Sequence, residues 1–242
     1  MADFTEEELR RYNRHILLEE CGVAGQEKIR QGRVLVVGAG GLGSPVLMYL
    51  AAAGVGTIGI VDGDVVDVSN LQRQIAHTTA GVGTSKTCSA AERMRALNPH
   101  VRVEEHNCFL TPDNVDDIVS GYDFIVDGTD NFDTKLLIND ACVAAGKPFS
   151  HGALLRFEAH TFTHLPGTAD FRTIFGDQPP AGVVPPASEA GVFGAIAGML
   201  GTIQAAEVLK YLTGIGELLT DQLLTFDART MDFRKIKVKN EK

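Results

Sequence analysis

Four glycines give this chain its first legible chemistry. They fall in Arg33-Val-Leu-Val-Val-Gly-Ala-Gly-Gly-Leu-Gly-Ser44, at Gly38, Gly40, Gly41 and Gly43. Without Cβ atoms such a stretch can turn tightly, bring backbone N–H groups close to a phosphate, and seat a helix close against a sheet. The residues on either side agree with that use. Val34 to Val37 reads as a strand buried on both faces, and Leu42 to Ala53 reads as a helix whose positive dipole end would face the phosphate. Thr57-Ile-Gly-Ile-Val-Asp62 reads as a second parallel strand, and an acid at its carboxyl end can accept hydrogen bonds from ribose hydroxyls. Asp64 follows in the next loop. Lys86 falls in the first turn of a helix expected over Thr84 to Leu97, where the dipole favours anions, so its placement makes sense beside an anionic ligand. Asp130 and Asn131 follow the apolar strand Asp123 to Asp127 and so stand at a sheet's carboxyl edge, where open α/β folds place ligands. The spacing points to nucleotide binding; a purely structural glycine turn is the alternative.

The elements that must hold these residues suit a single α/β domain over residues 1–242. A hydrophobic content of 44 % is enough for one full core. A net charge of −9 disfavours nucleic acid as the main partner, because phosphate tracking needs a basic footprint. The acidic start Met1-Ala-Asp-Phe-Thr-Glu-Glu-Glu8 lacks the apolar core of a signal peptide, which leads us to expect a cytoplasmic protein. The apolar run Val192 to Ile203 falls short of the ~20 residues needed to span a bilayer, so no membrane partner is expected. Cys21, Cys88, Cys108 and Cys142 are scattered, without the paired spacing of a zinc site or a disulfide framework, and are expected to be buried or half-buried.

Residues 1–31 read as a helical arm, with one helix over Phe4 to Leu18 capped by Thr5 and Glu8 and a second over Gly25 to Gln31. Arg10, Arg11 and Arg14 in that arm read most simply as a solvated helix face. Beyond Lys86 the expected order is a strand at Val101 to His106, a helix at Thr111 to Ser120 with Pro112 in its first position, the strand ending at Asp127, and a helix to Ala145. A strand at Lys147 to Gly152 and antiparallel strands over Ala153 to Leu165 follow. Residues 166–190, with five prolines, read as a mobile crossover loop. Gly191 to Leu212 is expected to be a helix with Gly194, Gly198 and Gly201 near one face, and Leu223 to Phe226 and Phe233 to Val238 to be edge strands of opposite direction. The fold class is therefore α/β, a Rossmann-like, doubly wound and mostly parallel sheet with C-terminal antiparallel strands.

Several stretches carry a resemblance over nearly the whole length: Arg11-Tyr-Asn-Arg-His15, the glycine turn, Asp62-x-Asp64, Ser69-Asn-Leu-Gln-Arg-Gln74, Lys86, Asn98-Pro99, Asp127-x-x-Asp-Asn131 and Ala190-Gly191-Val192. In these the chain resembles the E1-like adenylyltransferases that activate sulfur-carrier proteins, the MoeB, ThiF and HesA group related to ubiquitin-activating enzymes. The resemblance implies an E1-like activating-enzyme fold, a homodimer, and adenylation by ATP with Mg²⁺. The substrate would be the C-terminal Gly-Gly carboxylate of a ubiquitin-like carrier, with pyrophosphate released. It also implies roles: Gly41 and its neighbours as phosphate cradle, Asp62 as ribose anchor, and Arg73 and Lys86 as phosphate cations. Asn70, within the binding stretch Ser69, Asn70, Leu71 and Gln72, would be a polar phosphate contact, Asp130 the Mg²⁺ ligand, and Arg14 a residue reaching the partner subunit's site.

The departures also matter. Many such relatives carry two C-x-x-C pairs that hold a structural zinc; here the first region reads Asp170-Phe-Arg-Thr173 and the tail from Lys235 has no cysteine, so no zinc is expected. Ala187 stands where many relatives have a crossover-loop cysteine, which removes covalent chemistry at that position, and a separate sulfur-donor protein is expected. The rival readings are the same fold adenylating a small carboxylate or a tRNA-borne group, an NAD-dependent oxidoreductase, and a non-catalytic dimeric binding module.

Overall fold

The computed structural model describes residues 4–177 and 187–239. Eight strands form a sheet: β1 (Arg33–Val37), β2 (Thr57–Val61), β3 (Arg102–His106), β4 (Phe124–Asp127), β5 (Phe149–Leu155), β6 (Glu158–His164), β7 (Gln222–Asp227) and β8 (Asp232–Lys237). Their order is β3-β2-β1-β4-β5-β6-β7-β8. The first five are parallel and the last three antiparallel. Strand order reverses between β1 and β4, which makes the crevice above their carboxyl ends the switch point of the sheet.

Alternation along the central strands sorts the core into two layers. Val34, Val36, Ile58, Ile60, Phe124 and Val126 point to one face, where they meet α4 (Gly43–Ala53), α5 (Lys86–Leu97) and α10 (Gly194–Thr213). Leu35, Val37, Val61, Ile125 and Phe149 point to the other, against α6 (Val115–Ser120), α7 (Phe132–Ala145) and α8 (Phe171–Phe175). Each such side chain contributes roughly 1.5–3 kcal/mol by leaving water. α10 packs directly on α4, because a Cβ on Gly201 would run into Pro45 and the Leu42 carbonyl. Gly194 lies similarly close to Gln72, but Gly198 has open space around it, so only two of the three expected glycines serve close packing. Among the described residues no helix is long and apolar enough to cross a membrane.

Several expected boundaries move. The capping box of Thr5 and Glu8 is present, but the helix it starts ends early: α1 (Glu6–Arg11) and α2 (Asn13–Ile16) are separated at Tyr12. Tyr12 is drawn inward there, accepting from Asn98 Nδ2 at 2.9 Å and filling the space beside Gly54. α3 (Gly22–Gln31) begins a few residues earlier than expected. α6 starts at Val115 rather than Thr111, because the Asn114 side chain accepts from Thr111 N at 2.8 Å and holds the preceding residues in a turn. β5 runs on through Leu155 before turning at Arg156, whose φ is +57°. α10 begins at Gly194, three residues late. β7 lies between β6 and β8 and so is not an edge strand. The 166–190 stretch contains α8 and α9 (Ala187–Ala190); its residues 178–186, on which the expected mobile loop centres, lie outside the described residues.

Candidate active site

A cavity of about 1030 Å³ is lined by residues following β1, β2 and β4 and by one face of β5 to β8. The glycine turn forms its inner wall, and its glycines divide the work. Gly38 has φ +94°, and a Cβ there would meet the Gly128 carbonyl. A Cβ on Gly43 would land on the Gly38 carbonyl oxygen. These two let the turn close under α4, and Gly43 itself is not part of the cavity wall. Gly40 and Gly41 border the cavity; a Cβ on Gly40 would find only Gln74 Nε2, at 3.6 Å. Backbone can therefore approach a ligand there.

Asp62 braces this turn from the end of β2. Its Oδ2 accepts from Ala39 N and its Oδ1 from Asp64 N, both at 2.8 Å, while the half-buried carboxylate borders the cavity. Lys86 is buried, with Nζ 2.8 Å from Asp64 Oδ2, and Ser85 caps its helix. The anion near this first-turn lysine is thus a protein carboxylate on the cavity wall. Arg73 lays its stem against Gly41 and donates to Ser69 O at 3.3 Å. Asp130 is exposed on the wall, and Asn131, also on the wall, caps α7 by accepting from Thr134 N at 2.9 Å.

Ser69, Asn70, Leu71 and Gln72 do not line the cavity. Ser69 donates to Asp67 Oδ1 at 2.6 Å, and the Asn70 Oδ1 accepts from Asp67 N, so these polar groups are spent on folding a short turn. That turn aims Arg73 and Gln74 into the cavity, since the Asn70 carbonyl accepts both of their N–H groups. Arg14 is exposed on α2, away from the cavity, with no hydrogen bond or ion pair among the described residues. Cys21 and Cys142 are buried, Cys108 is half-buried on the cavity wall, and Cys88 is exposed on α5, against expectation, because its helix face looks outward.

Sequence reasoning missed a buried polar group on β4, β5 and α7. Asp127 Oδ2 lies 3.0 Å from Lys135 Nζ and 2.8 Å from His151 Nδ1, and its Oδ1 accepts from Thr129 N and Oγ1. Lys135 also donates to the carbonyls of Thr129 and Gly152, tying the Asp130 loop to β5. Burial alone would raise the Asp127 pKa, but Lys135, His151 and Thr129 together hold the carboxyl well below the usual carboxylate range. Asp127 belongs to the stretch Asp127-x-x-Asp-Asn131, but its partnership with His151 follows from the β4/β5 register, which no spacing reveals. Gln74 was also missed: it is 4 % exposed, borders the cavity, and its Oε1 has no partner among the described residues.

Burial, helped by Lys135, pushes the His151 pKa down to about 4. Between the unfolded value of about 6.5 and that lowered one, the unfolded chain binds a proton that the folded chain refuses. Stability should therefore fall as pH drops from about 6.5 to about 4. Urea midpoints across that range measure it, and a flatter profile is expected for His151→Asn; an unchanged slope in that variant would exonerate His151.

Comparison with known proteins gives a consistent set of likenesses. The ThiF family profile matches residues 12–242. A Mycobacterium tuberculosis protein named probable adenylyltransferase/sulfurtransferase MoeZ is 48 % identical over 240 residues, covering 97 % of this chain and 61 % of that protein. The sulfur carrier protein adenylyltransferase of Thermus thermophilus is 47 % identical, covering 98 % of this chain and 89 % of that one. Among solved structures, PaaA superposes with a TM-score of 0.84 at 23 % identity over 98 % of this chain and 76 % of its own. A structure of E. coli MccB with ATP gives 0.81 at 22 % over 95 % and 72 %. At these identities the structures speak to the fold.

Proposed function

We propose that this chain, which belongs to the ThiF family, is an ATP-dependent adenylyltransferase acting on the C-terminal Gly-Gly carboxylate of a ubiquitin-like sulfur carrier. A carboxylate oxygen attacks the α-phosphorus of ATP, the bond to the bridging oxygen breaks, and pyrophosphate leaves; the product is a carrier acyl-adenylate. The observation that carries this reading is a juxtaposition: Arg73, Lys86, Asp62 and Asp130 border the same cavity as Gly40 and Gly41, at the switch point of the sheet. The names of the Thermus relative and of the Haloferax volcanii SAMP-activating enzyme E1, 45 % identical, support the substrate class.

The residues divide the task as follows. Backbone N–H groups at Gly40 and Gly41, with the N-terminus of α4, cradle phosphate oxygens. Asp62 receives ribose hydroxyls. Arg73 and Lys86 stabilise charge that moves onto the departing pyrophosphate, in a reaction where positioning and electrostatics supply most of the acceleration. Asn70, with Ser69, Leu71 and Gln72, serves by holding Arg73 in place. The fit to Mg²⁺ is good: it binds nucleotides through one or two carboxylates plus phosphates and water, and Asp130 is an exposed carboxylate on the cavity wall. Bound there, the ion would neutralise phosphate charge. Among the described residues no three His, Cys, Asp or Glu side chains form an all-protein metal site.

The test is ATP–pyrophosphate exchange with and without a Gly-Gly-terminated carrier. Exchange that the carrier does not stimulate would sink the reading.

A homodimer is part of the proposal, with Arg14 reaching the partner's cavity. Leu17 and Leu18 beside it are 65 % and 54 % exposed, and Val23 and Tyr49 are exposed as well, apolar side chains that a partner subunit would cover. Sedimentation at micromolar concentration should give twice the chain mass of 25.9 kDa; a monomer counts against it.

Sulfur is proposed to come from a separate donor protein. Burial pushes the Cys142 thiol up to about 12 and raises that of Cys21, and Cys88 stands off the cavity. Protein, carrier and Mg-ATP should give no thiol-sensitive adduct by intact mass under non-reducing conditions. An adduct lost in Cys108→Ser would move the chemistry to the cysteine on the cavity wall.

A further inference from the structure

We propose that His151 is a specificity-determining residue for the carrier, its Nε2 accepting a hydrogen bond from the last peptide N–H of the carrier's tail. The inference rests on the function proposed above and deepens it.

The chain itself determines the tautomer. Asp127 offers only acceptors, and its charge is secured by Lys135 and Thr129, so the His151 nitrogen 2.8 Å away must be the one bearing hydrogen. The ring is held neutral, which leaves Nε2 as an acceptor and nothing else. That atom is buried and has no partner among the described residues, although the side chain borders the cavity. A buried acceptor left unsatisfied is costly. The rings around it do not relieve it. Phe162, Phe171 and Phe175 lie with centroids 5.1, 5.0 and 5.8 Å away and carry no donor, and His160, with its centroid at 5.4 Å, makes no hydrogen bond to it.

What binds in the cavity can supply that donor, provided it carries one. Phosphates and carboxylates bring none at neutral pH. The ribose hydroxyls belong near Asp62, at the end of β2, three strands from β5 and so roughly 14 Å away across the sheet, and the base that carries the amine lies beyond the ribose from the reacting phosphate. An extended peptide does bring N–H groups. Its reacting carboxylate has to meet the α-phosphate beside the Asp130 loop, and His151 sits one carboxylate away from that loop, since Asp127 binds both His151 and Thr129. Asp127 and His151 are register neighbours on β4 and β5. The last peptide unit of a tail crossing the β5–β8 face, at ~3.3 Å per residue, is the one that passes His151.

The experiment uses the full chain and a semisynthetic carrier whose terminal glycine is replaced by glycolate, so that the last peptide N–H becomes an ester oxygen. Two variants separate the nitrogens. His151→Asn keeps a donor for Asp127 and loses the Nε2 acceptor; His151→Gln keeps a polar atom at the cavity side and loses the Asp127 contact. The ester carrier is expected to lower kcat/KM for carrier by about 5- to 20-fold in the unaltered enzyme and in His151→Gln, but by less than about twofold in His151→Asn. KM for ATP should not move in either variant. The full ester penalty persisting in His151→Asn overturns the inference and leaves the adenylation reading standing. Absence of carrier-dependent exchange in the unaltered enzyme overturns that reading, and the inference with it.

Discussion

Replacing Lys86 with alanine is expected to lower carrier-dependent ATP–pyrophosphate exchange by about 10²–10³-fold, the loss seen when one well-placed donor is removed from developing charge. The fold should barely notice. Lys86 is buried, but its partner Asp64 keeps a side chain that is 55 % exposed, so the carboxylate left behind is still solvated and carries little penalty. Arg73→Ala should act in the same way, since its guanidinium contacts one carbonyl of its own turn and its stem rests on Gly41. Exchange kinetics with a thermal melt on the same samples check both halves. Turnover within about threefold of the unaltered enzyme would take that residue out of the mechanism.

The opposite balance is expected at Asp127. Asn in its place leaves the Lys135 ammonium buried, at 6 % side-chain exposure, with only neutral acceptors around it. Removing one member of a buried ion pair costs about 3–5 kcal/mol, which for a chain of this length lowers Tm by about 10 °C. Activity should fall as well, because Lys135 ties the Asp130 loop to β5 through the carbonyls of Thr129 and Gly152. A second replacement discriminates between ion-pair loss and general damage to the core. Lys135→Met added to Asp127→Asn removes the orphaned charge, and at least half of the lost stability should return; a double variant worse than the single one would falsify this account of the pair.

These two expectations come from residues that became legible in different ways. Lys86 could be picked out from the chain because its chemistry is written locally, as a cation in a helix's first turn, whereas Arg73 was picked out only through the family resemblance of its stretch. The glycine turn and the parallel strands β1, β2 and β4 were likewise readable, since buried strands need continuous apolar runs and a close-packed turn needs missing Cβ atoms. The same locality explains where reading the chain failed. Helix ends at Tyr12 and Thr111 were misplaced because side chains distant or off-pattern, Asn98 and Asn114, decide them.

Asp127, Lys135 and His151 form a unit only in three dimensions. They lie on β4, α7 and β5, and strand register together with the crossover of α7 brings Lys135 and His151 each within 3.0 Å of Asp127. Asp127 stands in a recognisable stretch, but neither partner stands out in sequence, because a histidine in a strand and a lysine inside a helix have the same local pattern whether they face water or a carboxylate. Which glycines face a ligand and which serve packing was decided the same way, by what a Cβ would meet across the turn. Sequence by itself determined which chemical groups the site has and the strands that end at it. Which of those groups share a cavity followed from the order and register in which the strands pair, since contacts between residues far apart in the chain leave no mark on local spacing.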